Sequence, residues 1–387
     1  MNAAIAGIGA TEFSKDSGRT ELSLAAEAVT AALEDCGLAP SDVDGMVTFS
    51  MDSNDEIEVA GNVGIGDLRF FSRVPHGGGA ACGTVAHAAM AVSTGGADVV
   101  VCYRALNGRS WRRFGSGGLA RREPTPNAEM VHYSWYLPFG LLTPASWVAM
   151  FARRAMHAYG WTEQDLGRVS VSARAYAATN PAAHFFEQPI TLEDHLESRW
   201  IVEPLRLLDC CQESDGAVAV VVTSAERSRD LRRPAVAIRA AAQGSGAGQR
   251  SMTSFYRDDL TGLPEAAVVT RELWRQSGLG PEDIQAANIY DPFTPFVLIQ
   301  LEEYGFCGRG ESAGFVADGG LDRGGRLPTN TNGGQLGEAY IHGTNGIAEA
   351  VRLVRGTSVN QPSGDVEHVL VTAGVGVPTS GLILGRD

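Results

Sequence analysis

Cysteine, basic charge and long apolar runs are what this sequence has little of. Six cysteines in 387 residues are too few for a disulfide framework. Cys210 and Cys211 are adjacent and no Cys-x-x-Cys pair occurs, which argues against a zinc site. Acidic residues outnumber basic ones, 45 to 31, leaving a net charge of −14. A chain this acidic is a poor partner for nucleic acid or an anionic membrane surface. No apolar run reaches the roughly 18–20 residues of a transmembrane helix. The amino terminus has no basic segment and reads as a first strand rather than a signal peptide, so the cytoplasm is the expected compartment. With 44% hydrophobic and 20% charged residues, the composition is globular. The length allows a large core or two similar domains.

Glycine, by contrast, is plentiful, and residues 330–346 are dense in it. Glycines let backbone approach backbone or ligand, and a loop feeding a helix offers free N–H groups to negative charge. The following segment puts Ile347, Ala350, Val351 and Val354 on one helical face. Tyr340 stands alone as a large aromatic in the loop. It is either a lid packed on the loop or a reactive group. Near the amino terminus, Gly7 and Gly9 close a predicted strand, but the third glycine of a dinucleotide fingerprint is missing.

One phrase occurs twice. Residues 37–43 (Gly-Leu-Ala-Pro-Ser-Asp-Val) match residues 278–284 (Gly-Leu-Gly-Pro-Glu-Asp-Ile). Each copy follows a helical pattern and precedes a strand. A helix from about Gly83 to Thr94 with a strand at 97–102 parallels a helix from Thr344 to Val354 with a strand at 366–371. The chain therefore reads as two related α/β halves, 1–235 and 236–387, packed about a pseudo-twofold. Their alternating helices and strands predict mainly parallel pairing within each half. Residues 104–200 break the pattern and read as an inserted loop domain. There Arg109, Arg112, Arg113, Arg121 and Arg122 mix with Trp111, Phe114, Trp135, Tyr136 and Trp147. Such a mixture suits either a phosphorylated adenine ligand or a solvated, subunit-contacting surface.

Ligands in α/β sheets gather at the carboxyl ends of strands. Candidate points are the glycine run 76–83, beginning at His76 and holding Cys82, and the segment 288–295, where Tyr290 and Asp291 end a strand and Thr294 with Pro295 opens a helix.

These features together resemble the thiolase superfamily, in its sterol-carrier-protein-x branch, over nearly the whole chain. That branch carries Asn-Pro-Ser-Gly-Gly followed by Gly-His-Pro-x-Gly-x-x-Gly. Residues 330–346 keep the length and most glycines, with Asn330, Gly333, Gly334 and Gly343 as the substrate-loop positions. The segment 208–211 followed by 214–217 is a further match. The resemblance implies a five-layer αβαβα thiolase fold of two βαβαβ-type halves. The departures are as informative. Tyr340 replaces the catalytic histidine of Gly-His-Pro, Tyr290 replaces the histidine of His-Asp-Cys-Phe, and Gly79 falls where the nucleophilic cysteine belongs. Cys82, three residues on, is either a shifted nucleophile or a small residue under a helix start.

A thiolase needs an acylated thiolate and a histidine to activate it. Both are displaced here, while loops suited to a thioester enolate remain. A retro-aldol cleavage releases such an enolate without a covalent intermediate. The sequence is similar to the thiolase-like lipid-transfer-protein aldolases of bacterial steroid side-chain degradation. That similarity implies cleavage of 17-hydroxy-3-oxo-pregnene-20-carboxyl-CoA to androstenedione and propionyl-CoA, with Tyr290 and Tyr340 moving the protons and His342, His76 and Asp291 in support. It also implies no bound cofactor beyond the coenzyme A of the substrate. The implied assembly is a homodimer with a second subunit bearing a zinc ribbon and an OB-fold, joined to an acyl-CoA hydratase. The alternatives are a non-catalytic acyl-CoA or lipid binder and a thiolase using Cys82.

Overall fold

The computed structural model describes residues 2–111, 131, 134–250 and 254–386. Arg112, Arg113, Phe114, Arg121 and Arg122 of the arginine–aromatic cluster lie outside the described residues.

The repeated phrase marks two equivalent joints. Helix α1 (Glu21–Cys36) is capped at its start by the Thr20 hydroxyl and ends at Gly37, with φ 77°. Helix Pro264–Ser277 ends likewise at Gly278, with φ 71°. Only glycine adopts this left-handed turn without strain. Each joint continues into a single 3-10 turn, Pro40–Asp42 or Pro281–Asp283. The aspartate of each turn accepts the backbone N–H three residues earlier, from Ala39 or Gly280, at 2.8 Å.

The strands are β1 (Ala3–Ala10), β2 (Gly45–Phe49), β3 (Phe70–Val74), β4 (Val99–Asn107), β5 (Trp200–Val202), β6 (Leu205–Arg206), β7 (Asp215–Ser224), β8 (Val236–Gly244), β9 (Ala286–Asn288), β10 (His368–Ala373) and β11 (Thr379–Gly385). All but the β5–β6 ribbon form one sheet, ordered β3-β2-β4-β7-β1-β8-β11-β10-β9. The order is palindromic about the short β1–β8 pairing. β1, β7, β4 and β2 correspond to β8, β11, β10 and β9, and a bridge from Ala287 to Thr329 takes the place of β3. Pairing is parallel for β2 with β3, β2 with β4 and β9 with β10. It is antiparallel for β1 with β7, β4 with β7, β8 with β11 and β10 with β11. The expectation of mainly parallel pairing is corrected at the β7 and β11 positions. Only residues 374–378 separate β10 from β11, too short for a parallel crossover. Between β4 and β7 the long excursion of helices Pro144–Tyr159 and Glu163–Thr179 brings the chain back reversed.

Helix α1 covers the outer side of the first-half strands, and Pro264–Ser277 that of the second-half strands. Helix α2 (Ala81–Ser93) and helix Thr344–Arg355 lie between them and touch strands of both halves. This gives the five layers expected. Their shared core joins Cys82, Val85 and Ala88 of α2 to Ile347, Val351 and Leu353, with Val100 and Val220 on one side and Val369 and Leu384 on the other. Helix Ala81–Ser93 is rich in small apolar residues, as suits a helix packed between the two halves of the sheet, whereas helix Thr344–Arg355 also carries Glu349, Arg352 and Arg355. In the insertion, Trp147 is buried while Trp111 and Trp135 are exposed, Trp135 standing edge-on to Tyr256.

Candidate active site

Tyr290 leaves the carboxyl end of β9 and is clamped through its backbone. Its N–H donates to Thr372 Oγ1 at 2.8 Å, and its carbonyl accepts from Gln300 Nε2 at 2.8 Å. Thr372 in turn donates to Gln300 Oε1 at 2.6 Å. β10 and helix Thr294–Glu303 thus fix the residue from both sides.

Tyr340 follows the one-turn helix Gly334–Gly337. Its N–H donates to Ser214 Oγ at 3.1 Å, which ties the loop to the start of β7. The two phenols meet, Oη to Oη, at 3.0 Å. Tyr290 is 5% exposed and Tyr340 half-buried. Burial raises both phenols above their ordinary value, Tyr290 with the added effect of its neighbour. On Tyr340, the Tyr290 hydroxyl and the Arg104 charge pull the other way. Either phenol can donate across that contact, and only on Tyr340 do a neighbouring hydroxyl and a positive charge oppose the effect of burial.

The loop is held by buried polar groups. Asp291 accepts N–H groups from Gln335 at 2.8 Å and Leu336 at 3.4 Å, capping the one-turn helix. Burial pushes its carboxyl up to about 8 in spite of those bonds. Its oxygens serve the loop backbone rather than the phenols. Asn330, at φ 55°, donates from Nδ2 to Ile289 O at 2.9 Å. A side chain on Gly334 would strike Asp291, one on Gly333 would lie 2.6 Å from Ala177 Cβ, and one on Gly343 would lie 3.0 Å from the Tyr290 ring. These glycines make room for protein neighbours. Glu338 joins both ends of the loop, accepting from Asn332, from Asn345 Nδ2 at 2.8 Å and from Asn180 Nδ2 at 3.2 Å.

The first half supplies the opposite wall. A Cβ on Gly78 would collide with Tyr290 Oη, and one on Gly79 with the carbonyl of Pro378. The thiolase nucleophile position therefore has no room for a cysteine side chain. Cys82 is fully buried in α2, its Sγ 3.7 Å from the Val371 carbonyl, and burial raises its thiol far above the ordinary range. The shifted-nucleophile alternative has no thiolate to use. His76, at φ 68°, donates its backbone N–H to Ser50 Oγ at 2.8 Å. His342 lies against the pair, with its ring edge-on to Tyr340 at 5.2 Å between centroids.

Arg104 and Asp52 were not anticipated. Arg104 is 2% exposed, bonds Asp52 Oδ2 at 2.7 Å, and donates from Nε to His342 Nδ1 at 3.1 Å. The available signal was an arginine within an otherwise apolar strand, since such a charge is buried only with partners. Ser214 and Thr372 gave no comparable signal.

Residues 3–226 match the model of the thiolase N-terminal domain, and residues 246–386 that of a thiolase C-terminal domain-like family. The chain is 68% identical over 385 residues to a steroid side-chain-cleaving aldolase of Thermomonospora curvata, covering 100% of this chain and 98% of that one. It is 64% identical to the 17-hydroxy-3-oxo-4-pregnene-20-carboxyl-CoA lyase of Mycobacterium tuberculosis, covering 99% of each. A solved structure titled Ltp2-ChsH2(DUF35) aldolase superposes with a TM-score of 0.95 at 66% identity, over 100% of this chain and 98% of that one. Two thiolase domains in sequence, on a palindromic α/β sheet whose nucleophile position is closed, establish that this chain belongs to the thiolase family, in the company of the steroid side-chain-cleaving aldolases.

Proposed function

We propose that the chain is a carbon–carbon lyase that cleaves 17-hydroxy-3-oxo-4-pregnene-20-carboxyl-CoA to androstenedione and propionyl-CoA by a retro-aldol reaction. The observation that carries this reading is the pair of tyrosines 3.0 Å apart where a thiolase would keep its histidines. Tyr340 acts as the base on the 17-hydroxyl. As that proton leaves, the C17–C20 bond breaks, C17 becomes a ketone, and the electron pair enters the thioester as an enolate. The Tyr290 hydroxyl relays a proton through the pair, and C20 is protonated as the enolate collapses. The pair ends as it began, and nothing becomes covalently attached. A free tyrosine with pKa about 10 is ionised about once in a thousand at pH 7, a deficit of roughly 4 kcal/mol. Burial enlarges that deficit, while the Arg104 charge and concerted transfer between the phenols work against it.

In this reading Tyr290 and Tyr340 are catalytic. Asn330, Gly333, Gly334 and Gly343 shape the loop that carries Tyr340, and coenzyme A enters as part of the substrate. The halves divide at 235/236 with the inserted loop domain at about 104–200, a division that the strand order on either side of the β1–β8 pairing supports. Among the described residues no helix is long and apolar enough to cross a membrane, and we place the enzyme in the cytoplasm. The edge strand β3, with Phe71 59% exposed, supports a homodimer joined there. The solved aldolase named with a second component supports a second subunit, for which a zinc ribbon, an OB-fold and a link to a hydratase are proposed.

The test offers the 17-hydroxy steroid acyl-CoA to the purified chain, alone and with that subunit, and separates the products by chromatography. Equal amounts of 17-ketone and propionyl-CoA are expected. Intact substrate in both samples, with binding confirmed, would move the reading to a carrier.

A further inference from the structure

The proton transfers above leave one group beside the pair without a task. We propose that His342 donates its Nε2–H to the thioester oxygen as the enolate forms, and that Arg104 with Asp52 holds the ring in the tautomer that can do so. This rests on the aldolase reading.

The tautomer follows from the donors. A guanidinium has only N–H groups to offer, so the 3.1 Å bond from Arg104 Nε requires an unprotonated Nδ1 on His342. The neutral ring must then carry its proton on Nε2, which has no hydrogen-bond partner among the described residues. Burial, and then the Arg104 charge, hold His342 well below its ordinary value, so the second proton is not taken up. Asp52 fixes Arg104 through Nη1 at 2.7 Å and also accepts the Ala105 N–H at 3.2 Å. Phe49 packs against both, 5.9 Å from the imidazole and 5.5 Å from the guanidinium carbon.

The position is equally specific. A Cβ on Gly77 would lie 3.1 Å from His342 Nε2, and the neighbouring Gly78 gives way to Tyr290 Oη. Consecutive Cα atoms are about 3.8 Å apart, so Nε2–H and the phenol pair flank one short piece of glycine backbone. His342 is held there at φ 53°, an uncommon conformation for histidine that the surroundings must maintain. In the cleavage, the electron pair of C17–C20 becomes the enolate π bond and negative charge grows on the thioester oxygen. A neutral donor accepts that charge without surrendering its proton, whereas an imidazolium would transfer it.

The experiment compares His342→Asn and His342→Gln with wild type, each purified with the second subunit. Asparagine suits the left-handed backbone but falls short of the Nε2 position, whereas the glutamine amide reaches it. Two rates are read: steroid cleavage, and exchange of the propionyl-CoA α-protons into deuterated water, which reports enolate formation without the steroid. His342→Asn should lose about a hundredfold in both rates with KM nearly unchanged, and His342→Gln should recover about tenfold of that loss. A 15N-histidine spectrum should show His342 as the neutral Nε2–H form from pH about 6 to 9. The inference is overturned by a His342→Asn protein working within about threefold of wild type. Equal losses in both variants, or an Nδ1–H or imidazolium signal for His342, would overturn it as well. A wild-type complex that neither cleaves nor exchanges would remove the aldolase reading itself, and this inference with it.

Discussion

The glycine-rich loops of the two halves occupy equivalent places, each opening a helix of the central layer, yet they have taken opposite parts. Residues 77–80, three glycines and an alanine, contribute almost no side chain. Each of three consecutive glycines there receives a group from the other half: Gly77 faces His342, Gly78 faces the Tyr290 phenol, and Gly79 faces the Pro378 carbonyl. Residues 330–346 carry Tyr340 and His342 on a scaffold of buried amides and carboxylates. Duplication supplied one backbone plan twice. In the proposed mechanism the chemistry uses one copy, and the other forms the wall that the reacting groups are set against.

That asymmetry can be broken from either side. Removing a phenol is the strongest test. Tyr340→Phe and Tyr290→Phe should each fold normally and lose on the order of a hundredfold or more in kcat. Near-normal turnover in both would dissolve the distinction between the loops. The wall is probed next by Gly78→Ala, whose methyl group displaces the Tyr290 hydroxyl; misplacement by about 1 Å should lower kcat about a hundredfold or somewhat less, with Tm nearly unchanged.

A third prediction concerns the scaffold. Asp291 and Glu338 have folded-state values raised by burial to about 8 and about 7, against about 4 when unfolded. The folded protein therefore binds more protons than the unfolded chain between pH about 4 and 8, so stability falls as pH rises through that window. Asp291→Asn removes one of the two ionisations, and the fall in Tm across the window should become shallower by the equivalent of a few kcal/mol. A slope identical to wild type would show that Asp291 ionises freely in the folded state. The smallest effect belongs to Cys82. Cys82→Ala should retain full activity with a stability loss of about 1 kcal/mol, and iodoacetamide should leave Cys82 unlabelled in the native protein.

Much of the candidate site was legible before the fold was known, because the residues it is built on depart from a pattern that otherwise holds. Tyr340 and Tyr290 stand out against histidines, and Gly79 against a cysteine, only when the glycine spacing around them is intact. His342 was visible as a candidate but not its role, since that depends on which ring nitrogen meets Arg104. Arg104 itself was assigned to the edge of the insertion, because its partners Asp52 and His342 lie 52 and 238 residues away. The parallel-pairing expectation failed for a related reason. Helix–strand alternation describes neighbours in the chain, whereas β7 and β11 pair according to the connections that deliver them.

The sequence by itself determined the elements and their repetition. Gly37 and Gly278 end helices because few other residues tolerate the turn they make. The apolar faces of α1 and of helix Thr344–Arg355 follow from their spacing, and the tyrosines read at the two histidine positions argue against thiolase chemistry. Only the tertiary structure decided that the two phenols touch, that the backbone of one half closes the old nucleophile position of the other, and that a buried arginine selects one tautomer of His342. Those are contacts between segments far apart in the chain, and local propensity carries no information about distances that packing alone sets.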